Sequence, residues 1–307
     1  MQLKNDDMLQ ALADQPLTVL EPQEQLLPLV MSSPHSGAVY PESFVDQSSL
    51  DPQSLRRSED CFMDQVASAA AGLGVPVVAA RFPRVFLDVN REPYELDPAM
   101  FDGPAPSHVR SGSARVKGGL GTIARTVGSG QSIYRDKLSY EEAEWRIEHF
   151  YRPYHATLQR LLEATAEKFG FAILIDWHSM PSAAVRRAAG MTGRSILPDL
   201  VLGDRFGRSC GRAVVRGVED AVLAHKFQSA RNAPYAGGHI TAHYGRPQSG
   251  VHALQIEVNR ALYMDEALYE PSAGLDRLVR LARQVAENLG ALELRPARDT
   301  RPPLAAE

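Results

Sequence analysis

The chain has 307 residues, 44% of them hydrophobic, with 33 basic against 37 acidic side chains and a formal net charge of −4. It carries no basic run of the kind a nucleic-acid binder needs, no window of about 18 consecutive apolar residues for a membrane span, and enough length to bury a core unaided by disulfides. The two cysteines, Cys61 and Cys210, lie far apart without C-x-x-C spacing, which argues against a disulfide framework or a cysteine zinc site and fits a reducing compartment.

The opening "MQLKNDDMLQALADQPLTVLEPQ" is too polar for a signal peptide, so a cytoplasmic location is expected. Residues 1–25 read as a polar arm or short helix, 26–292 as one domain, and 293–307, rich in proline and charge, as a flexible tail. The first strand is expected over 26–33, "LLPLVMSS", and a helix over 59–74, ending at Gly74 as its C-cap. Two more strands follow, "VPVVAARF" (75–82) and "VFLDV" (85–89). Residues 102–135 are dense in glycine, serine and arginine. A stretch of that length is usually functional or disordered, and its "GGLGTIAR" lacks the lysine ending of a phosphate-binding loop. A long helix is expected over 139–170, with Ser139 and Glu142 as a capping box and Pro153 as a bend. Strands over 171–176, 195–203 and 253–258 then alternate with helices over 203–222 and 274–290. The alternation predicts an α/β fold with a mixed, mostly parallel central sheet flanked by helices.

Such sheets bind ligands beyond the carboxyl ends of their strands. Four apolar runs stop there on polar residues: His35 after the first; Asp88, Asn90 and Arg91 after the 85–89 run; Asp176 and His178 after "FAILID"; Glu257, Asn259 and Arg260 after "ALQIEV". A single histidine at a strand end is commonly structural, Asp88 alone would cap a turn, and Arg91 would pair with a nearby acid. Together, His35 and His178 offer a metal two neutral nitrogens, with a carboxylate as third ligand and a position left for water. Glu257 then suits the base that takes a proton from that water. No helical H-E-x-x-H or G-x-S-x-G is present.

The segments "SSPHSG", "RVFLDVNREP", "YRPYH", "IDWHS", "GGHITAHYGRP" and "HALQIEVNRALYMDE", in this order over roughly 25–270, resemble the N-formylglutamate amidohydrolase family. The resemblance implies a zinc-carboxypeptidase-like fold and metal-dependent hydrolysis of N-formyl-L-glutamate to formate and glutamate in histidine degradation. It implies Zn2+ as the ion, with Co2+, Ni2+ or Mn2+ tolerated by the same ligands. Many relatives in the wider set take a carboxylate ligand three residues after the first histidine, but Ala38 stands there. The acid is instead expected in "RRSEDCFMD", at Asp60, with Glu59 and Asp64 as alternatives and Cys61 as a remote fourth candidate.

The partner implied is a small anionic N-acyl amino acid, not nucleic acid or membrane, and oligomeric state is left open. Glu257 would pass the water's proton to the leaving amine, and one cationic donor would assist at the oxyanion. Arg91 resembles the arginine that holds substrate carboxylate, with Asn90 beside it. Arg125 and Arg246 are further candidates for that role. Asp176 would orient His178 from the same strand face or bond a backbone amide, His239 and His243 would flank the same region, with His243 structural or assisting proton transfer, and Arg110, Arg115 and Arg125 would let the 102–135 loop close as a lid. Two other readings are a zinc hydrolase for another N-acyl amino acid or peptide-like amide, and a non-catalytic binder of acidic metabolites.

Overall fold

The computed structural model describes residues 6–128, 130–192 and 198–294. Its centre is a seven-stranded sheet built from β1 (Leu17–Leu20), β2 (Leu29–Ser33), β3 (Val77–Ala80), β4 (Ala172–Met180), β5 (Leu200–Gly203), β6 (Ser229–Arg231) and β7 (Val251–Asn259), in the order β1-β3-β2-β4-β7-β5-β6. Strands β3, β2, β4 and β7 are mutually parallel, so their carboxyl ends share one edge. Strand β1 joins β3 antiparallel, and β5 joins β7 antiparallel. The architecture is therefore a mixed, mostly parallel sheet between helices.

Register explains how one sheet is both core and site. Val30, Leu174 and Ala253 stand side by side on one face, followed one step up by Ser32, Asp176 and Gln255, then by His178 and Glu257. Successive residues of a strand alternate faces, so this face is apolar at its base and polar towards its carboxyl edge. The base packs under Tyr154, Leu158, Leu161 and Leu162 of the helix Arg152–Phe169. On the other face Ile173, Ile175, Trp177, Leu254, Ile256 and Val258 meet the helices Met63–Ser68, Arg212–Ala224 and Gly274–Gly290.

Several elements differ from their sequence reading. Residues 85–89 form no strand. Strand β3 already has β1 on one side and β2 on the other, so no edge remains beside it. Pro83 accepts the Phe86 N–H in a turn, and Phe86, Leu87 and Val89 are buried as a folded loop. The helix expected over 59–74 begins only at Met63, because Phe62 adopts a left-handed φ of 64°. It ends at Ser68, and Gly74, φ 74°, caps a separate 3-10 turn, Ala71–Leu73. The helix expected over 203–222 starts at Arg212; Arg205, Phe206 and Gly207 before it are all left-handed.

Ser139 caps its helix by accepting the Glu142 N–H. Just before Pro153, where a bend was expected, the helix runs through a π-helical turn, Ile147–Tyr151. Such a turn relaxes the ladder where proline lacks a donor. In the segment read as a polar arm or short helix, residues 7–14 form a short helix, while 17–20 form the sheet's edge strand, which was not expected. The tail beyond residue 294 and residues 193–197 of the 195–203 run lie outside the described residues. Among the described residues no helix is long and apolar enough to cross a membrane.

Candidate active site

His35 sits two residues beyond β2, in a loop pressed onto the chain after β3. Val39 N–H donates to the Arg81 carbonyl at 3.1 Å, and a Cβ on Gly37 would overlap the Phe82 backbone. Asp60 lies in the turn ahead of the Met63–Ser68 helix, its N–H bonded to the His35 carbonyl at 2.9 Å. His178 projects from β4. The strand does not stop at Asp176 but runs to Met180, so Asp176, His178 and their neighbours are held by the sheet itself.

The two imidazole rings are 4.8 Å apart between centroids. Asp60 Oδ2 lies 3.1 Å from His178 Nδ1 and 3.4 Å from His35 Nδ1. All three side chains are buried, and their ligand atoms fall within 4.8 Å of one another, the one such His/Cys/Asp/Glu group of three or more among the described residues. Each remaining nitrogen is tied to a carboxylate: His35 Nε2 to Asp88 Oδ1 at 2.7 Å, His178 Nε2 to Asp176 Oδ2 at 2.8 Å. A proton held on each Nε2 leaves the Nδ1 lone pair facing inwards, the usual bracing of a metal-binding histidine. His35 Nδ1 is buried with no hydrogen-bond partner among the described residues. Asp60 Oδ1 accepts from Ser179 Oγ at 3.0 Å and Arg260 Nη2 at 3.1 Å, leaving Oδ2 for the centre. Two inward nitrogens, one of them without a hydrogen-bond partner, and one carboxylate oxygen fit a divalent cation.

The electrostatics agree. Burial alone would raise the Asp60 pKa, yet the imidazoles beside it, His178 first and His35 next, hold it well below the usual carboxylate range. Burial opposes a charge on His178, but Asp176 and Asp60 push its pKa up to about 10. Asp88 is likewise desolvated, and Arg84 and Arg91 keep it ionised. Among the protein's own charges, cationic groups at the centre are thus strongly favoured.

Glu257 stands directly across from His178 in the β4–β7 register. Its Oε1 accepts from Gln255 Nε2 at 2.7 Å. Burial, partly offset by His178, lifts its pKa to about 7. Arg84 donates Nε to Asp88 Oδ2 at 2.9 Å. Arg91 donates to the Asn90 and Leu120 carbonyls at 2.9 and 3.1 Å and approaches Asp88 at 3.7 Å. These groups line a cavity of about 580 Å³ with His35 and His178 in its wall. Arg115, Leu120, Gly121, Ala124, Thr126 and Gly128 of the 102–135 loop form another wall.

Not every candidate arrives there. Arg125 pairs with Asp97 at 2.8 Å and Arg246 lines a different cavity beside Glu163. Arg110 pairs with Glu92. Glu59 is held by Arg56 and Tyr40, and Asp64 lies outside the His35–Asp60–His178 group. Cys61 donates to Glu59, and burial pushes its thiol up to about 12, far from a metal-ready thiolate. His239 and His243 stack on each other at 5.3 Å, with His239 facing Tyr151 rather than the centre. The sequence reading missed Arg84, Gln255 and the bond from Asp88 to His35. The signal available was the i,i+4 spacing of Arg84 and Asp88, obscured by assigning Asp88 to a strand over 85–89.

Asn90 Nδ2 lies 3.3 Å from His178 Nε2, and its Oδ1 accepts the Ile240 N–H at 2.8 Å. A Cβ on Gly238 would overlap the Asn90 amide. Gly238→Ala is therefore expected to push Asn90 against His178 and weaken divalent-metal binding by about 10–100-fold, the range for groups that orient a ligand. Calorimetric titration with Zn2+ on folded protein checks this; an unchanged Kd rejects it.

Residues 27–264 match the profile of a family described as N-formylglutamate amidohydrolase. The chain is 31% identical to the N-formylglutamate deformylase of Pseudomonas putida over 88% of this chain and 94% of that protein. It is 30% identical to that of Pseudomonas aeruginosa over 86% and 92% respectively. The crystal structure of N-formylglutamate amidohydrolase from Ralstonia eutropha JMP134 superposes with a TM-score of 0.82 at 37% identity, over 89% of this chain and 98% of that one. A profile matched from β2 to just past β7, and relatives aligned over nearly their whole length, carry one conclusion: the chain belongs to the N-formylglutamate amidohydrolase family.

Proposed function

We propose that this protein is a zinc-dependent amidohydrolase that splits the N-formyl amide of N-formyl-L-glutamate into formate and glutamate, a step of histidine breakdown. The observation that carries the reading is the buried His35–Asp60–His178 group with Glu257 beside it on one cavity wall. His35, Asp60 and His178 would hold the ion through Nδ1, Oδ2 and Nδ1. Zinc suits two imidazoles and a carboxylate, and Co2+, Ni2+ or Mn2+ would be tolerated. When bound, the ion supplies Lewis acidity, polarising the formyl carbonyl and acidifying a water to a pKa of about 7.

Glu257 accepts that water's proton and delivers it to the departing amine. A carboxyl near pKa 7 suits both halves of that task. Gln255 fixes one of its oxygens, which keeps the other aimed at the cavity. Arg84, anchored through Nε on Asp88, presents its guanidinium to the same cavity as a donor for the developing oxyanion. Arg91 and Asn90 receive a substrate carboxylate. Arg115, exposed on the 102–135 loop at the cavity rim, suits the second carboxylate, with the loop serving as a lid.

The test compares formate, acetate and succinate release from N-formyl-, N-acetyl- and N-succinyl-glutamate by protein stripped with dipicolinate and reloaded with Zn2+. Turnover should vanish on stripping, return with the ion, and favour the formyl compound by at least about tenfold in kcat/KM, since one or two extra carbons are worth roughly 1–3 kcal/mol in a fitted pocket. A preference for a longer acyl group would support another N-acyl amino acid as substrate. Hydrolysis of none would leave only metabolite binding.

A further inference from the structure

Two segments singled out in the sequence, "YRPYH" (151–155) and "GGHITAHYGRP" (237–247), supply no group to the chemistry above, yet they fold onto each other directly behind it. Tyr151 ends the π-helical turn, buried, and its hydroxyl donates to the Arg91 carbonyl at 2.8 Å. His239 Nε2 lies 3.2 Å from the same hydroxyl. One turn further along the helix, His155 Nε2 meets the Val89 carbonyl at 2.9 Å, and its Nδ1 meets the Tyr244 hydroxyl at 2.9 Å. With Nε2–H donating to Val89, Nδ1 is the acceptor and Tyr244 the donor. Burial keeps this imidazole neutral, its pKa drawn down to about 3, which suits that fixed tautomer.

The carbonyls on either side of Asn90, those of Val89 and Arg91, are thus both pinned from one helix. The N–H of Asn90 is pinned as well, donating to Asp88 Oδ1 at 2.8 Å. Because residues 85–89 form a loop and not a strand, no sheet ladder holds this segment. Its backbone needs other partners to keep a single conformation. The wider π turn places the Tyr151 hydroxyl and the His155 ring on one line of helix facing those carbonyls.

We propose that Tyr151 and His155 form a backbone clamp that aims the Asn90 and Arg91 side chains at the cavity, making both of them positioning residues for substrate binding. This rests on the reading that Arg91 holds a substrate carboxylate.

Tyr151→Phe removes the hydroxyl and keeps the ring packed on His155 at 4.3 Å. It should raise KM for N-formylglutamate about tenfold, with kcat changed less than about threefold and metal per chain unchanged. Residues acting through a shared group are non-additive, so in an Arg91→Ala background Tyr151→Phe should add less than about twofold. His155→Gln, which retains a donor for Val89, should stay within about threefold of the parent KM, whereas His155→Ala should match Tyr151→Phe. Equal KM factors in both backgrounds, or loss of metal, would overturn the clamp, and the His155 pair decides the matter if Tyr151→Phe does not fold. An Arg91→Ala protein with the parent KM would overturn the Arg91 reading instead.

Discussion

Purified His178→Ala and His35→Ala proteins should each carry little divalent metal after dialysis and lose on the order of 10⁴-fold or more in kcat/KM, since these side chains would hold the ion whose Lewis acidity the proposed hydrolysis would need. Asp60→Asn should behave likewise, because among the described residues Oδ2 is the carboxylate oxygen grouped with the two imidazoles, while Oδ1 is committed to Ser179 and Arg260. The bracing carboxylates form a milder second tier. Asp88→Asn and Asp176→Asn leave the ligand atoms in place and remove only what fixes their tautomers, so metal affinity should fall by about 10–100-fold. His178→Ala should also destabilise the fold, since Asp60 and Asp176 would each lose a buried side-chain partner. Elemental analysis of metal per chain, paired with Tm, separates the tiers. Full metal occupancy in His178→Ala, or equal losses in Asp176→Asn and His178→Ala, would remove the basis for a shared ion.

What the sequence made legible follows from what each pattern encodes. The runs that became β2, β4 and β7 are buried on both faces, so they read as continuous apolar stretches, and the polar residues at their ends mark one edge once the sheet is parallel. His35, His178 and Glu257 were reachable that way. The 85–89 run was not, because apolar content reports burial and not backbone path: Phe86 and Leu87 are as buried in a turn as they would be in a strand. Whether β3 has a free edge depends on β1, whose four residues sit in a stretch that reads as polar arm. Arg125 and Arg246 show the converse limit. Composition says that a loop is cationic, but a guanidinium's direction is set by whichever acid it meets. Arg125 meets Asp97, 28 positions earlier, a pairing that no local pattern encodes. Asp60 over Glu59 was a choice between adjacent carboxylates. The left-handed Phe62 and the bond from Asp60 N–H to His35 turn one to the centre, and Arg56 draws the other away.

Glu257→Gln should lower kcat by about 10²–10⁴-fold, the usual worth of a positioned general base, while leaving metal content at the parent level. The substitution is nearly isosteric, and the Gln255 Nε2–H still finds a carbonyl oxygen to bond, so the β4–β7 pairing that sets Glu257 opposite His178 should persist. What is lost is the ability to take a proton. Stability should move the other way. The Glu257 pKa is raised in the fold to about 7 from an ordinary 4.5, chiefly by burial. The folded state therefore holds a proton that the unfolded chain releases, and ionisation of Glu257 erodes stability as pH climbs through that window. The neutral amide carries no such penalty, so the metal-free Glu257→Gln protein should show a Tm at or above that of the metal-free parent at pH 8, with the gap closing towards pH 5. Glu257→Asp keeps the base but withdraws it by about one methylene, and misplacement on the order of 1 Å costs about 10²-fold in rate. The ordering parent, then Asp, then Gln in kcat, with equal metal in all three, is the signature of a base acting beside an intact metal centre. A Glu257→Gln protein that keeps more than about a tenth of parental kcat would assign proton transfer to another group.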